Sequence, residues 1–426
     1  MRHPKRKALI GFLFLAGLLV GLWFFFDFFT RKPIRKELVV SYSVTDDAFR
    51  RSADALLDTP FVESNKVETL VNGDQIFASM LDAIRSATTT ITLETYIWSR
   101  GKICDEFKDA LLERAHAGVK VHVVVDGMGS IKLKQKDITE LQDAGVRIVK
   151  FNRDKWYSVN FQINHRTHRK VMVVDGRLGF IGGSCLHDSW LGNAETENQW
   201  RDTHFKNQGP AVGELQGVFA ENWRQTTGEV LHGPDYFPRL EPAGNLPVQC
   251  YKSGPKENQE SIRLAILYAL AASKKNIRIA HAYFVPDELL MTTLLHALER
   301  GVNVEIIVPG KTDAKLVKAA SRTTWGELMA AGAKFYQYGP AMYHVKEIVI
   351  DDVLVIAGSA NFDNRSFRIN DEANFNVLDR AFAQQQIKLF EADKKQSKAL
   401  SLVDLENRSL FTKTADSVAG VFSSQF

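Results

Sequence analysis

The sequence predicts a duplicated α/β fold behind an N-terminal transmembrane helix. Three observations predict it. Short β-rich apolar runs alternate with segments of helical periodicity. The alternating plan occurs twice, which marks a duplicated domain rather than a solenoid. An unbroken apolar stretch, ALIGFLFLAGLLVGLWFFF at 8–26, precedes both copies.

The apolar stretch comes first. At ~1.5 Å per residue it reaches about 29 Å, close to the hydrocarbon thickness of a bilayer. Bulky Trp23 to Phe26 stand where a cleaved signal peptide carries small residues. Residues 8–29 are therefore read as an uncleaved, single-pass anchor in a cell membrane. Arg2, Lys5, Arg6 and Lys7 precede it, and Arg31, Lys32, Arg35 and Lys36 follow it. The positive-inside rule sees a tie, so orientation stays open. Residues 30–63 read as a polar linker.

Two copies of one plan follow. The first, assigned to 64–240, contains ITLETYIW (91–98), AGVKVHVVVDG (117–127) and ELQDAGVRIVKF (140–151). The second, assigned to 245–395, contains IRIAHAYF (277–284), RGVNVEIIVPG (300–310) and ELMAAGAKFYQY (327–338). Each unit reads strand, helix, Gly, strand, helix, Gly, strand. Residues 396–426 form a C-terminal tail without an assignable pattern.

Composition narrows the function class. The 54 basic and 50 acidic residues leave a net charge of +4, too balanced to point to nucleic acid. Cys104, Cys185 and Cys250 are far apart and odd in number, so no disulfide framework or zinc knuckle is expected.

The duplication sorts the candidate chemistry. The stretch HRTHRKVMVVDG (165–176) holds two histidines, and AMYHVKEIVIDD (341–352) holds one. His344, Lys346 and Asp351 follow the pattern His-x-Lys-x4-Asp. In the first copy that pattern fits only His168, Lys170 and Asp175. His165 has no counterpart and is expected to be solvated or packing, outside the chemistry. A zinc site at His165 and His168 would not explain the matching Lys and Asp.

Histidine and lysine two apart on an extended strand face one side. A lysine is a fixed cation suited to a phosphate oxygen. An imidazole serves as nucleophile or proton carrier near neutral pH. Two facing copies supply a nucleophile, a general acid and two cations, an inventory suited to displacement at a phosphodiester. Neither metal nor cofactor is called for.

Paired motifs of this kind, each followed by a Gly-Gly or Gly-Ser turn, resemble the phospholipase D superfamily, with bacterial cardiolipin synthases the nearer match. LETYIW, DGMGS (126–130), HRKVMVVDG, IGGS, WRDTH (200–204) and GSANFDNRSFRINDEANF (358–375) carry the likeness, which runs from about residue 64 to 395. It implies a duplicated phospholipase D-like fold, two α/β halves packed side by side with the active site at their interface. It also implies roles. His168 would attack phosphorus and hold a phosphatidyl group, and His344 would protonate the leaving alcohol. Lys170, Lys346 and Asn361 would hold phosphate oxygens, with Ser359 and Ser184 as further substrate-binding candidates. Asp175 and Asp351 would complete the motifs in a mainly structural part. An acid some thirty residues downstream would orient each histidine: Asp202, 34 residues past His168, and Glu372, 28 past His344.

The sequence departs from the family pattern in two places. Cys185 stands where the second half has Asn361, and reads as a small buried hydrophobe. Asp352 replaces a glycine and is expected only to alter a turn. Trp156, Tyr157 and Phe161, beside Arg153 and Lys155, fit either a membrane interface or a core cap. Lys132, Lys134 and Lys136 read as a solvated face, with contact to anionic headgroups as the alternative.

The implied activity is a membrane-anchored phosphatidyltransferase of cardiolipin synthase type. It would move a phosphatidyl group from phosphatidylglycerol to a second glycerol-bearing lipid through a phosphohistidine. Its partners are membrane phospholipids and the membrane itself. The alternatives are a phospholipase D using water as acceptor and, against the charge balance, a phosphodiesterase or nuclease.

Overall fold

A computed structural model describes residues 34–152, 165–255, 260–312, 314–408 and 416, together with Gly11, Leu15, Gly17, Leu18 and Gly21. Those five glycines and leucines are helical; the rest of the 8–29 stretch lies outside the described residues. Among the described residues no helix is long and apolar enough to cross a membrane. The aromatic cluster around Trp156 also lies outside them. Residues 1–36 and 37–426 form separate units, and the architecture below is that of the second.

The repeat appears as two sets of seven strands in matching order. From the seam outward, the first half runs Val62–Val71, Thr203–Gln208, Leu178–Gly182, Val171–Val174, Thr90–Thr95, Lys120–Asp126 and Arg147–Phe151. The second runs Leu246–Ser253, Glu372–Leu378, Leu354–Gly358, Lys346–Ile350, Asn276–His281, Asn303–Lys311 and Lys334–Tyr343. Val62 pairs with Val248 and Asn65 with Leu246 in antiparallel register, so the halves join edge to edge into one sheet.

The outer three strands of each half are parallel, as their helical crossovers require. Buried on both faces, they are near-continuous apolar runs such as VHVVVD. The core crosses the seam. Val171, Val173 and Phe205 of the first half pack in one cluster with Val349, Val355 and Phe375 of the second. The rings of Phe205 and Phe375 meet edge-on at 4.9 Å, an arrangement worth about 1 kcal/mol beyond the area it buries.

Two regions differ from the sequence reading. Residues 30–63, read as a linker, contain the helix Asp47–Leu57 and the start of the first strand. Phe49, Ala53 and Leu57 make a buried stripe at helical spacing, and Phe49 stacks on Tyr268 at 4.6 Å. Polar composition hid three well-placed apolar residues. In the tail, Ser397–Leu400 adds a strand beside Lys334–Tyr343. The helix Leu402–Glu406 follows, started by a reciprocal cap between Ser401 and Asp404.

Candidate active site

Each histidine motif lies just before, or at the start of, a central strand. His168 and Lys170 precede Val171–Val174, and Lys346 opens Lys346–Ile350. Asp175 and Asp351 sit at the far ends of those strands. Asp175 accepts the backbone N–H groups of Thr88, Thr89 and Thr90. Asp351 accepts those of Lys274, Lys275 and Asn276. Each thus stitches a hairpin turn to the neighbouring strand, remote from the imidazoles. Asp352 adopts the left-handed backbone of its counterpart Gly176, with φ of 57° against 62°. The substitution keeps the turn, and Asp352 pairs with Arg278 at 2.5 Å. Gly176 lacks that latitude, because a Cβ there would lie 2.4 Å from Pro238.

The histidine–acid pairs form across the seam. His168 Nδ1 lies 2.8 Å from Glu372 of the second half, and His344 Nδ1 lies 2.7 Å from Asp202 of the first. The sequence reading had paired each acid with the histidine of its own half; the structure exchanges them. The backbone shows why. The His168 N–H donates to Asp371 O at 2.8 Å, in a bridge that pairs Thr167 with Asp371. The His344 N–H donates to Arg201 O at 2.7 Å, where Trp200–Arg201 runs parallel to Met342–Tyr343. Each histidine segment is thus sewn to the residue preceding the other half's acid.

Both acids are fully buried and held from behind. Ser359 Oγ donates to Glu372 at 2.6 Å and accepts the Ala373 N–H. Its hydroxyl is therefore spent on the acid, not turned to a ligand as the sequence reading had it. The matching position in the first half is Gly183, where a Cβ would lie 2.3 Å from Asp202. Trp190 Nε1 supplies the missing donor to Asp202 at 2.7 Å.

Lys170 Nζ donates to the His168 carbonyl at 2.5 Å, and Lys346 Nζ lies about 3.0 Å from both His344 ring nitrogens and its carbonyl. The four groups are electrostatically coupled across the seam. Burial first, with the lysine charges, pushes His168 and His344 each down to about 4 against the pull of the facing acids. Burial lowers Lys170 as well and brings Lys346 to about 8. Burial opposes ionisation of Glu372 and Asp202, yet the facing imidazole and nearby lysine hold each at about 2. The resting arrangement is an anionic acid accepting Nδ1–H from a neutral imidazole. That tautomer leaves Nε2 with its lone pair.

Asn361 Oδ1 and Ser184 Oγ are buried and, among the described residues, without a hydrogen-bond partner. Cys185 is buried near Lys170 and Lys346.

His165 is neither solvated nor mere packing. It is 5% exposed, and its Nε2 lies 2.7 Å from Asp371, the residue before Glu372. The same-face rule for His168 gave no sign of it. Sequence reasoning also assigned no role to several aromatic residues. The ring of Tyr96 in LETYIW meets that of His168 edge to face, with centroids 5.0 Å apart, and Lys170 Nζ lies 5.4 Å from the Tyr96 centroid. Trp190 and Trp200 each lie 5.1 Å from the His344 ring. LETYIW and WRDTH were the available signal for Tyr96 and Trp200, and Trp190 lies in neither.

Residues 80–223 and 266–394, more than half of the chain, match the family model described as cardiolipin synthase, PLD-like domain. The chain is 34% identical over 365 residues to the major cardiolipin synthase ClsA of Bacillus subtilis (strain 168), covering 85% of this chain and 76% of that protein. It is 36% identical to cardiolipin synthase A of Pseudomonas syringae pv. syringae (strain B728a), covering 85% and 75%. The fold is similar to that of the phosphatidylserine synthase of Haemophilus influenzae Rd KW20. That likeness has a TM-score of 0.63 and 16% identity, and it covers 88% of this chain and 97% of the other.

Proposed function

The chain belongs to the phospholipase D-like cardiolipin synthase family, and on that premise we propose that it transfers a phosphatidyl group between two molecules of phosphatidylglycerol, forming cardiolipin and releasing glycerol. Names of relatives at 34% and 36% identity over most of the chain support the reaction class. The observation that carries the reading is the pair of histidines, each backed by the other half's acid, in a cluster with two lysines.

The steps follow from the resting tautomers. Glu372 holds the Nδ1–H of His168, so Nε2 attacks phosphorus. Lys170, Lys346 and the Nδ2–H of Asn361 take the phosphoryl oxygens. The arriving anionic diester offsets the lysine charges that keep His344 neutral. His344 then takes a proton from solvent, Asp202 stabilises the imidazolium, and that ring protonates the departing glycerol. In the second step His344 takes the proton from the acceptor hydroxyl, and that oxygen displaces His168. Residues 8–29 are read as the anchor that keeps the site beside its lipids.

Purified full-length protein incubated with labelled phosphatidylglycerol tests the reading. Cardiolipin and glycerol in equal amounts are the expected products. Phosphatidic acid in place of cardiolipin would make water the acceptor, and no lipid product would refute the assignment.

A further inference from the structure

The strand Thr90–Thr95 ends at the site, since Tyr96 touches His168. Lys120–Asp126 lies parallel to it in register, with Thr95 beside Val125, and so ends on the same rim. There Asp126 binds three N–H groups at once. One carboxylate oxygen holds Met128 and Gly129 at 2.9 and 2.8 Å, and the other holds Thr167, next to His168, at 3.0 Å. Ser130 Oγ donates to Tyr96 O at 3.0 Å. A Cβ on Gly129 would lie 2.3 Å from that same oxygen. The root of the turn is therefore packed against the site.

Its tip is not. Met128 is 55% exposed and Ile131 is 68% exposed. Lys132, Lys134, Lys136 and Arg100 surround them, all exposed, with Arg100 Nε donating to Lys132 O. The acids that follow the turn, Asp137 and Glu140, lie 3.7 and 2.9 Å from Lys108, and Lys136 also acts on Glu140. Leu316, 65% exposed, opens the helix Lys315–Ala330 after the matching strand Asn303–Lys311.

We propose that the turn Gly127–Leu133 is a docking element for an anionic bilayer surface. Met128 and Ile131 enter the boundary between headgroups and acyl chains, while Arg100, Lys132 and Lys134 meet the anionic headgroups. Because Asp126 binds both the turn and Thr167, docking aims the mouth at His168 towards the layer that holds its substrate. The inference rests on the lipid-substrate reading above, but its test does not depend on turnover.

The full chain carrying Ile131→Cys is labelled with an environment-sensitive nitrobenzoxadiazole probe and placed in phosphatidylglycerol vesicles. Cys104, Cys185 and Cys250 are buried, so the introduced thiol is the one that reacts. Emission should shift to the blue and be quenched by nitroxide lipids, more so in phosphatidylglycerol than in phosphatidylcholine vesicles. Lys132→Glu with Lys134→Glu should abolish that preference. The same probe at Val230, 62% exposed after the helix Val212–Thr227, should not shift. An unshifted probe at residue 131, or an equal shift at 230, overturns the docking surface. Product analysis in the same vesicles reads the lipid chemistry separately.

Discussion

Glu372, in the second half of the chain, accepts a hydrogen bond from His168, in the first, at 2.8 Å. Neither half therefore contains a complete histidine–acid pair. Glu372→Gln keeps the shape but trades a charge for an amide that no longer enforces the Nδ1–H tautomer. Turnover should fall by at least about a hundredfold. Single-turnover kinetics should show the loss in formation of the phosphatidyl-enzyme. Asp202→Asn should slow that same step, in which glycerol leaves, and also the later transfer to the acceptor, where His344 is the base. An acceptor-side defect for Glu372→Gln would mean the crossed pairing does not operate.

His165 gives a contrasting case. His165→Ala leaves Asp371 buried without its 2.7 Å partner. Leaving a buried acceptor without its hydrogen-bond partner costs about 1–3 kcal/mol. The denaturation midpoint should drop, while turnover of the folded fraction falls by less than about tenfold, short of the general acid–base range. His344→Ala should show the reverse, with turnover down by at least about a hundredfold and a smaller change in midpoint.

Asp175 separates scaffold from chemistry in another way. It binds three consecutive N–H groups and sits at φ 52°, which aspartate tolerates better than most residues. Asp175→Ala should cost about 2–4 kcal/mol in a denaturant titration, at roughly 1.5–3 kcal/mol for a single charge-assisted bond and with partial relaxation. Enzyme that remains folded should retain its turnover per molecule.

Acid should act on the buried histidines well above the usual carboxylate range. Burial pushes His122, His168, His204 and His344 down to about 4 and His281 to about 3. Unfolding restores an ordinary value near 6.5. Below that value the unfolded chain binds protons that the native chain refuses. The histidine contribution is therefore full above about pH 6.5 and is lost as the pH falls towards 4, at up to about 1.4 kcal/mol per pH unit for each histidine. Burial raises Glu94 and Glu214 to about 7, Glu347 to about 8 and Asp363 to about 6, and these work in the opposite sense. The midpoint of His281→Gln should therefore depend less on acid below pH 6.5 than that of the parent. An unchanged dependence would mean that this ring is protonated in the native state.

How much of this was legible can be argued from particular residues. The α/β halves were readable because VHVVVD and VEIIVPG are buried on both faces, and such strands leave an apolar run in the sequence. The motif register was readable because the repeat supplied a template that excluded His165. The crossed pairing was not, since it depends on Trp200–Arg201 and Asp371 crossing the seam, and spacing along the chain cannot reveal that. Ser359 looked like a ligand-facing residue because a hydroxyl suits a phosphate and an acid equally well. The helix Asp47–Leu57 was missed because three buried residues in eleven scarcely alter composition.

The covalent intermediate tests the central claim most directly. Full-length protein is reacted briefly with phosphatidylglycerol labelled in its phosphatidyl group and quenched in alkali, where a phosphohistidine survives. The resting tautomer leaves Nε2 of His168 free to attack, so label should be found on the peptide containing His168. It should persist there in His344→Ala, at lower yield, and vanish in His168→Ala. Label on the peptide containing His344 would contradict the assignment of nucleophile and acid across the seam.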